Sequence, residues 1–117
     1  MKLLLTSGGL ENKTIIDTLR DLVGKDFKDT KLVFIPTAAN VESGDKWWLI
    51  SDLCKCKELG FKEVDIVDIA AVSRDIWEPR LRNAEVLMFG GGNTSYLMGQ
   101  MKKSGLAGIM SDLLKTR

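Results

Sequence analysis

The sequence predicts an α/β protein with an open parallel β-sheet and helices on both of its faces. Short apolar runs, typical of buried strands, alternate with segments whose apolar residues recur at the 3.6-residue period of a helix. This order extends over residues 1–117, which is the length of one domain. In such sheets ligands bind beyond the carboxyl ends of the strands, so the loops at that edge are the first place to look for function.

Four strands are predicted from β-branched, aromatic and aliphatic runs. Pro36 should end the second of them, because proline cannot donate a hydrogen bond to the ladder. The four predicted strands are Lys2–Thr6, Lys31–Ile35, Glu63–Ile69 and Val86–Phe89.

The first two helices are predicted between these strands. Asn12 can cap a helix that ends at Gly24, with a single apolar stripe along it. Ser43 or Asp45 can cap a second helix, which Gly60 ends. The apolar positions expected to face the core are Ile15, Ile16, Leu19, Leu22 and Val23 in the first helix and Trp48, Leu49, Leu53 and Cys54 in the second.

Three further helices are predicted in the second half of the chain. A short one lies around Ile76–Leu81, where Pro79 would interrupt the backbone hydrogen bonds unless it falls in the first turn. Another covers Thr94–Lys103 and is broken by Gly105, after which an apolar stripe indicates a last helix over Leu106–Leu114.

Three loops are therefore expected at the carboxyl edge, namely Ser7–Gly9, Thr37–Asn40 and Gly90–Thr94. The third is the most informative, because three successive glycines exceed what one turn needs and allow a ligand to approach the backbone. Asn93 or Thr94 can cap the following helix, whose first N–H groups favour an anion. A tight turn alone is the competing interpretation. A dinucleotide site is disfavoured, because Ser95 stands where a small residue is needed and the motif follows the fourth strand.

Composition excludes several classes of function. The 17 basic and 16 acidic residues give a net charge of +1, so we expect no nucleic-acid partner. No apolar run approaches the roughly 20 residues that span a membrane, and we expect no signal peptide and no membrane contact. Cys54 and Cys56 should point to different faces of a helix, which predicts two ordinary thiols in a reducing cytoplasm.

Complete catalytic machinery is not visible. The chain has no histidine and no G-x-S-x-G turn, and no residue is assigned as nucleophile or base. Asp65, Asp68 and Asp75 are interpreted as solvated carboxylates, so we predict neither a metal nor another cofactor. Of the adjacent Trp47 and Trp48, only one can face the core squarely.

Three segments resemble the N-terminal half of peptidase E-type enzymes, the aspartyl dipeptidases of serine peptidase family S51. They are Leu3–Ser7, Val33–Ala38 and, most specifically, Phe89–Thr94. The resemblance implies a flavodoxin-like, class I glutamine-amidotransferase-like three-layer fold that is incomplete at its C-terminal side. It also implies hydrolysis of small peptides, typically Asp-X dipeptides, by a serine that follows the last predicted helix and lies beyond Arg117. This chain alone would then be inactive.

The resemblance implies a role for the glycine loop. The backbone N–H of Gly92, together with that of Gly91, would donate to the oxyanion, while Gly90, Asn93 and Thr94 would shape the loop at the substrate edge. Two alternatives remain open: a non-enzymatic module that binds a small anion at this loop, and an interaction subunit. An incomplete sheet also leaves an exposed edge, through which we expect self-association.

Overall fold

The computed structural model describes residue 10 and residues 12–115, with the side chain of residue 115 left out. The strands are β1 (Lys31–Ile35), β2 (Glu63–Ile66) and β3 (Val86–Phe89). The helices are α1 (Lys13–Val23), α2 (Thr37–Asn40), α3 (Trp47–Glu58), α4 (Arg74–Arg82), α5 (Thr94–Ser104) and α6 (Leu106–Lys115), with a 3₁₀ turn at Phe27–Asp29. The first predicted strand, Lys2–Thr6, and the Ser7–Gly9 loop lie outside the described residues.

The three described strands form a parallel sheet in the order β2-β1-β3. Leu32 of β1 is paired with Val64 on one side and Val86 on the other. Strands β1 and β3 have the predicted bounds. Strand β2 is shorter than predicted and ends at Ile66, although the next N–H, from Val67, still donates to the Phe34 carbonyl at 2.9 Å.

The two faces of the sheet carry separate apolar clusters, because successive side chains of a strand point to opposite sides. Leu32 and Phe34 pack on the face covered by α1 and α3. Val33 and Ile35 pack on the other face, which α4 and α6 cover with Trp77, Leu81, Leu106, Ile109 and Leu113. All four of these β1 residues are buried. The predicted α/β class, with helices on both faces of a parallel sheet, is confirmed.

Helix α1 begins and ends as the sequence predicts. The Asn12 side chain accepts a hydrogen bond from the Ile15 N–H at 2.9 Å, and Gly24 takes the left-handed conformation at the end. Helix α5 ends in the same way at Gly105. None of the described helices has the length and apolar character needed to cross a membrane.

Helix α3 differs from the prediction at its start and in its apolar stripe. It begins at Trp47, and neither Ser43 nor Asp45 caps it, since Lys46 holds the cap position without a side-chain bond. Cys56 is buried in place of Cys54, which is exposed. The reason is the helical period: positions 49, 53 and 56 follow one stripe, and position 54 lies about 100° away from 53.

Helix α4 is longer than predicted, and Pro79 lies in its interior beyond the first turn. The helix continues through Pro79 to Arg82, even though proline has no N–H to donate to the preceding turn. Pro79 is exposed, and Glu78 next to it accepts hydrogen bonds from Arg74 and Arg82. These pairs span the turn on both sides of the proline and support it locally.

Candidate functional site

The Gly90–Thr94 loop joins β3 to α5 at the carboxyl edge of the sheet. The Gly90 N–H donates to the Ile35 carbonyl at 3.1 Å, so the loop leaves the ladder only after that residue. The 37–40 segment, which follows β1, lies beside it. This segment is a short helix, α2, where the sequence predicts a loop.

Two of the three glycines are required by packing. A Cβ at Gly90 would lie 2.8 Å from Cζ of Phe34. A Cβ at Gly92 would lie 2.5 Å from the carbonyl carbon and oxygen of Ala38, and Gly92 has a φ of +140°. Gly91 has open space where its side chain would be. Local structure alone therefore explains why residues 90 and 92 are glycines, but it does not explain Gly91.

The loop's N–H groups divide into two kinds. The Asn93 N–H donates to the Ala38 carbonyl at 2.9 Å and is used within the protein. Within the part of the chain that the structure describes, the N–H groups of Gly91 and Gly92 donate to no protein acceptor, and both residues are exposed. The N–H of Thr94, the first residue of α5, likewise has no acceptor among the described residues, so three donors of this loop are open to a ligand.

Asn93, and not Thr94, caps α5. Its side-chain oxygen accepts from the Tyr96 N–H at 2.9 Å, and Thr94 is the exposed first residue of the helix. Gly91 and Gly92 immediately precede this capped N-terminus of α5. A negative charge near Gly91 and Gly92 is therefore favoured by the helix dipole as well.

Asp68 holds the neighbouring α2 segment. Its Oδ1 accepts from the Thr37 hydroxyl at 2.8 Å and from the Ala70 N–H at 2.9 Å, and its Oδ2 accepts from the Asn40 amide at 2.8 Å. The interpretation of Asp68 as a solvated carboxylate is therefore wrong. The sequence did not signal this, because Asp68 falls inside the predicted strand Glu63–Ile69. With β2 ending at Ile66, Thr37 and Asp68 both follow a strand, and the ends of parallel strands meet at one edge.

The other two candidate carboxylates also have protein partners. Asp65 accepts two hydrogen bonds from Arg80, at 2.8 and 2.6 Å, and the bond from Arg80 holds the pKa of this carboxyl below its usual value. Asp75 accepts from the Ser73 hydroxyl. Among the described residues, no three histidine, cysteine or carboxylate side chains come together as metal ligands would.

Trp47, Trp48, Cys54 and Cys56 all lie in α3 and not in the glycine loop. Cys54 is exposed and Cys56 buried, and burial, reinforced by the nearby Asp52 charge, raises the pKa of the Cys56 thiol to about 12. Neither cysteine forms a disulfide. Trp47 is 67% exposed and Trp48 half-buried, so neither of the pair is a core residue.

The chain is thus an α/β protein with a parallel sheet, and a glycine loop with open N–H donors lies at the carboxyl edge of that sheet. The sequence model of peptidase family S51 matches residues 3–117, and the chain belongs to this family. None of the curated proteins matches the sequence.

A solved structure supports the fold. It is the 1.5 Å crystal structure of a protein from Listeria monocytogenes EGD-e that is assigned as a peptidase E, and it is similar with a TM-score of 0.75 and 23% identity. The similarity covers 86% of this chain and 48% of the Listeria chain. This chain therefore spans about half the length of that protein.

Proposed function

We propose that the protein is a serine-type peptidase that hydrolyses small peptides, with Asp-X dipeptides as the first candidates. The observation that carries the proposal is the pair of open N–H groups at Gly91 and Gly92, on a loop that packs closely against Phe34 and Ala38. Membership of family S51 supports the same reaction class.

In this mechanism the described residues supply the electrostatic part of catalysis. When a nucleophile attacks the peptide carbonyl, its oxygen becomes an oxyanion, and the Gly91 and Gly92 N–H groups would donate to it without rearrangement of the loop. One such donor is worth about 3 kcal/mol of activation free energy. These 117 residues contain no histidine, and none of their serines is assigned as the nucleophile in this proposal.

The reaction class is tested on the protein at its native length. We expect hydrolysis of Asp-X dipeptides, with slower turnover of the matched Asn-X dipeptides, and inactivation by a phosphonate reagent that phosphonylates serine. Absence of hydrolysis from every dipeptide offered would contradict the proposal. Phosphate binding at the glycine loop without hydrolysis would favour the anion-binding module.

The oxyanion role has a test that needs no substitution. In the phosphonate adduct, a phosphoryl oxygen takes the place of the oxyanion. We expect the amide protons of Gly91 and Gly92 to shift downfield and to exchange more slowly with solvent. The amide of Asn93 is the internal control, because it already donates to Ala38. Unchanged Gly91 and Gly92 signals would show that neither N–H donates to the oxyanion.

Two further expectations accompany this function. The free thiols of Cys54 and Cys56 support a location in a reducing cytoplasm, which cell fractionation can test. Self-association through the sheet edge stays a prediction, and light scattering across a concentration series would measure it. A constant monomer mass would contradict it.

A further inference from the structure

We propose that Asp68 is a positioning residue for the glycine loop, which it holds through α2. The inference rests on the proposed oxyanion role of Gly91 and Gly92. Asp68 lies just beyond β2, on a different segment from the loop, and its hydrogen-bond partners are Thr37, Asn40 and Ala70. Its effect has to pass through the residues between them.

Asp68 clamps both ends of α2. The helix has only four residues, too few to be stable by itself. Thr37 at its start and Asn40 at its end both donate to the one carboxylate, each at 2.8 Å. The position of α2 is therefore set by Asp68 and by the burial of Ala38 and Ala39.

The hydroxyl of Thr37 is held in one orientation by two hydrogen bonds. It is fully buried, and while its hydroxyl donates to Asp68 it also accepts from the Ile69 N–H at 3.2 Å. Both roles of the hydroxyl are filled by the chain segment that follows β2. Rotation of Thr37 would break two hydrogen bonds in a site that water does not reach.

Helix α2 is in turn the surface on which the glycine loop lies. The Ala38 carbonyl accepts from the Asn93 N–H at 2.9 Å. The same carbonyl leaves no room for a Cβ at Gly92. A shift of α2 therefore moves Ala38, and with it the direction in which the Gly92 N–H points. Misplacement of about 1 Å in a catalytic group can lower a rate about 100-fold.

The test exchanges the side chains of Asp68 and Asn40, one substitution at a time, in the protein at its native length. Asn40→Asp places two carboxylates against each other, and we expect kcat to fall about 10-fold with little change in KM. Adding Asp68→Asn restores a donor opposite an acceptor, and the double variant should recover to within about threefold of the parent. Asp68→Ala, which removes the clamp, should lower kcat about 30-fold.

Asp75→Ala is the matched control, because Asp75 is a carboxylate bonded to Ser73 at the start of α4. Its kcat should stay within about twofold of the parent. If Asp68→Ala fails to fold, the recovery of kcat on adding Asp68→Asn to Asn40→Asp still tests the role of Asp68. A double variant no better than Asn40→Asp would overturn the inference.

Hydrogen exchange separates this inference from the proposed function. Exchange at the Asn93 amide should speed up about 10-fold in Asn40→Asp and return in the double variant, whether or not the protein cleaves any peptide. Hydrolysis by the parent with unchanged Asn93 exchange and kcat in Asn40→Asp would leave the peptidase standing and refute the role of Asp68. Faster Asn93 exchange in Asn40→Asp, in a protein that cleaves no peptide, would support the role of Asp68 and refute the peptidase.

Discussion

The two ends of the sheet are held by different means. At the amino end, the Glu85 carboxylate accepts from the backbone N–H of Lys31 in β1 at 2.6 Å and from the ammonium of Lys25, which follows α1, at 3.1 Å. At the carboxyl end, Asp68 and the Ala38 carbonyl take neutral hydroxyl, amide and backbone donors. The N–H groups of Gly91, Gly92 and Thr94 have no described acceptor. The amino end is thus held by a carboxylate with protein partners, whereas the carboxyl end keeps donors that no described residue uses.

The largest expected effect on stability is at the carboxyl end. Gly92→Ala should lower the free energy of unfolding by about 2 to 4 kcal/mol, because the new Cβ meets the Ala38 backbone and the left-handed conformation is strained. Urea denaturation measures the change. Gly91→Ala is the control, with open space at its Cβ and an expected change below about 0.5 kcal/mol. Equal losses in both variants would contradict the close packing of Gly92.

The next effect is at the amino end. Glu85→Gln should cost about 1 to 2 kcal/mol of unfolding free energy, since it removes a charge-assisted bond to Lys31 and the pair with Lys25. Glu63→Gln, an exposed glutamate at the start of β2, is the control and should cost below about 0.5 kcal/mol. Peptidase kcat should be unchanged in both. A fall in kcat with Glu85→Gln would show that the two ends are coupled.

A smaller effect is the dependence of stability on pH. The pKa of Asp65 is lowered by Arg80, and that of Glu85 is lowered because the bonds from Lys31 and Lys25 outweigh an opposing effect of burial. Folded pKa values below the unfolded ones add stability that is fully present above about pH 5 and lost as the pH falls through the folded values. The free energy of unfolding from urea denaturation should be lower in acid than at neutral pH, and the loss should be smaller in Glu85→Gln than in the parent. An equal acid loss in both proteins would exclude Glu85 as a source.

The smallest expected effect is a difference in reactivity between the two thiols, Cys54 and Cys56. The Cys56 sulfur lies 3.7 Å from the Met88 sulfur, two residues before the glycine loop, and its raised pKa makes it a poor nucleophile. Iodoacetamide should therefore label Cys54 in the folded protein and Cys56 only after unfolding, as mass mapping of peptides would show. Rapid labelling of Cys56 in Gly92→Ala would indicate that packing beneath the loop has opened.

Local signals explain which elements could be predicted from the sequence. The bounds of β1 and β3 and the caps at Asn12, Gly24 and Gly105 depend on a few adjacent residues, and the structure confirms them. Helix α3 was harder, because its start lacks a side-chain cap and no sequence signal marks Lys46.

The site was predicted only in part, because half of it depends on contacts between distant segments. The glycine triplet identified the loop, and Asn93 was one of two candidate caps. The contact of Gly92 with Ala38 and the bonds of Asp68 to Thr37 and Asn40 join residues that only the sheet brings together. Periodicity and turn chemistry contain no information on such pairs, so Asp68 was assigned to solvent.

The strand order also bears on how the chain avoids aggregation during synthesis. Strand β1 is central, yet both of its described partners, β2 and β3, come later in the sequence. Until they have been made, the apolar run 32–35 lacks both of these described partners and could add to the same run in another molecule. Lys31 and Pro36 flank this run, one with a charge and the other without an N–H to donate. They act as gatekeepers that oppose intermolecular β-pairing while the sheet is still incomplete.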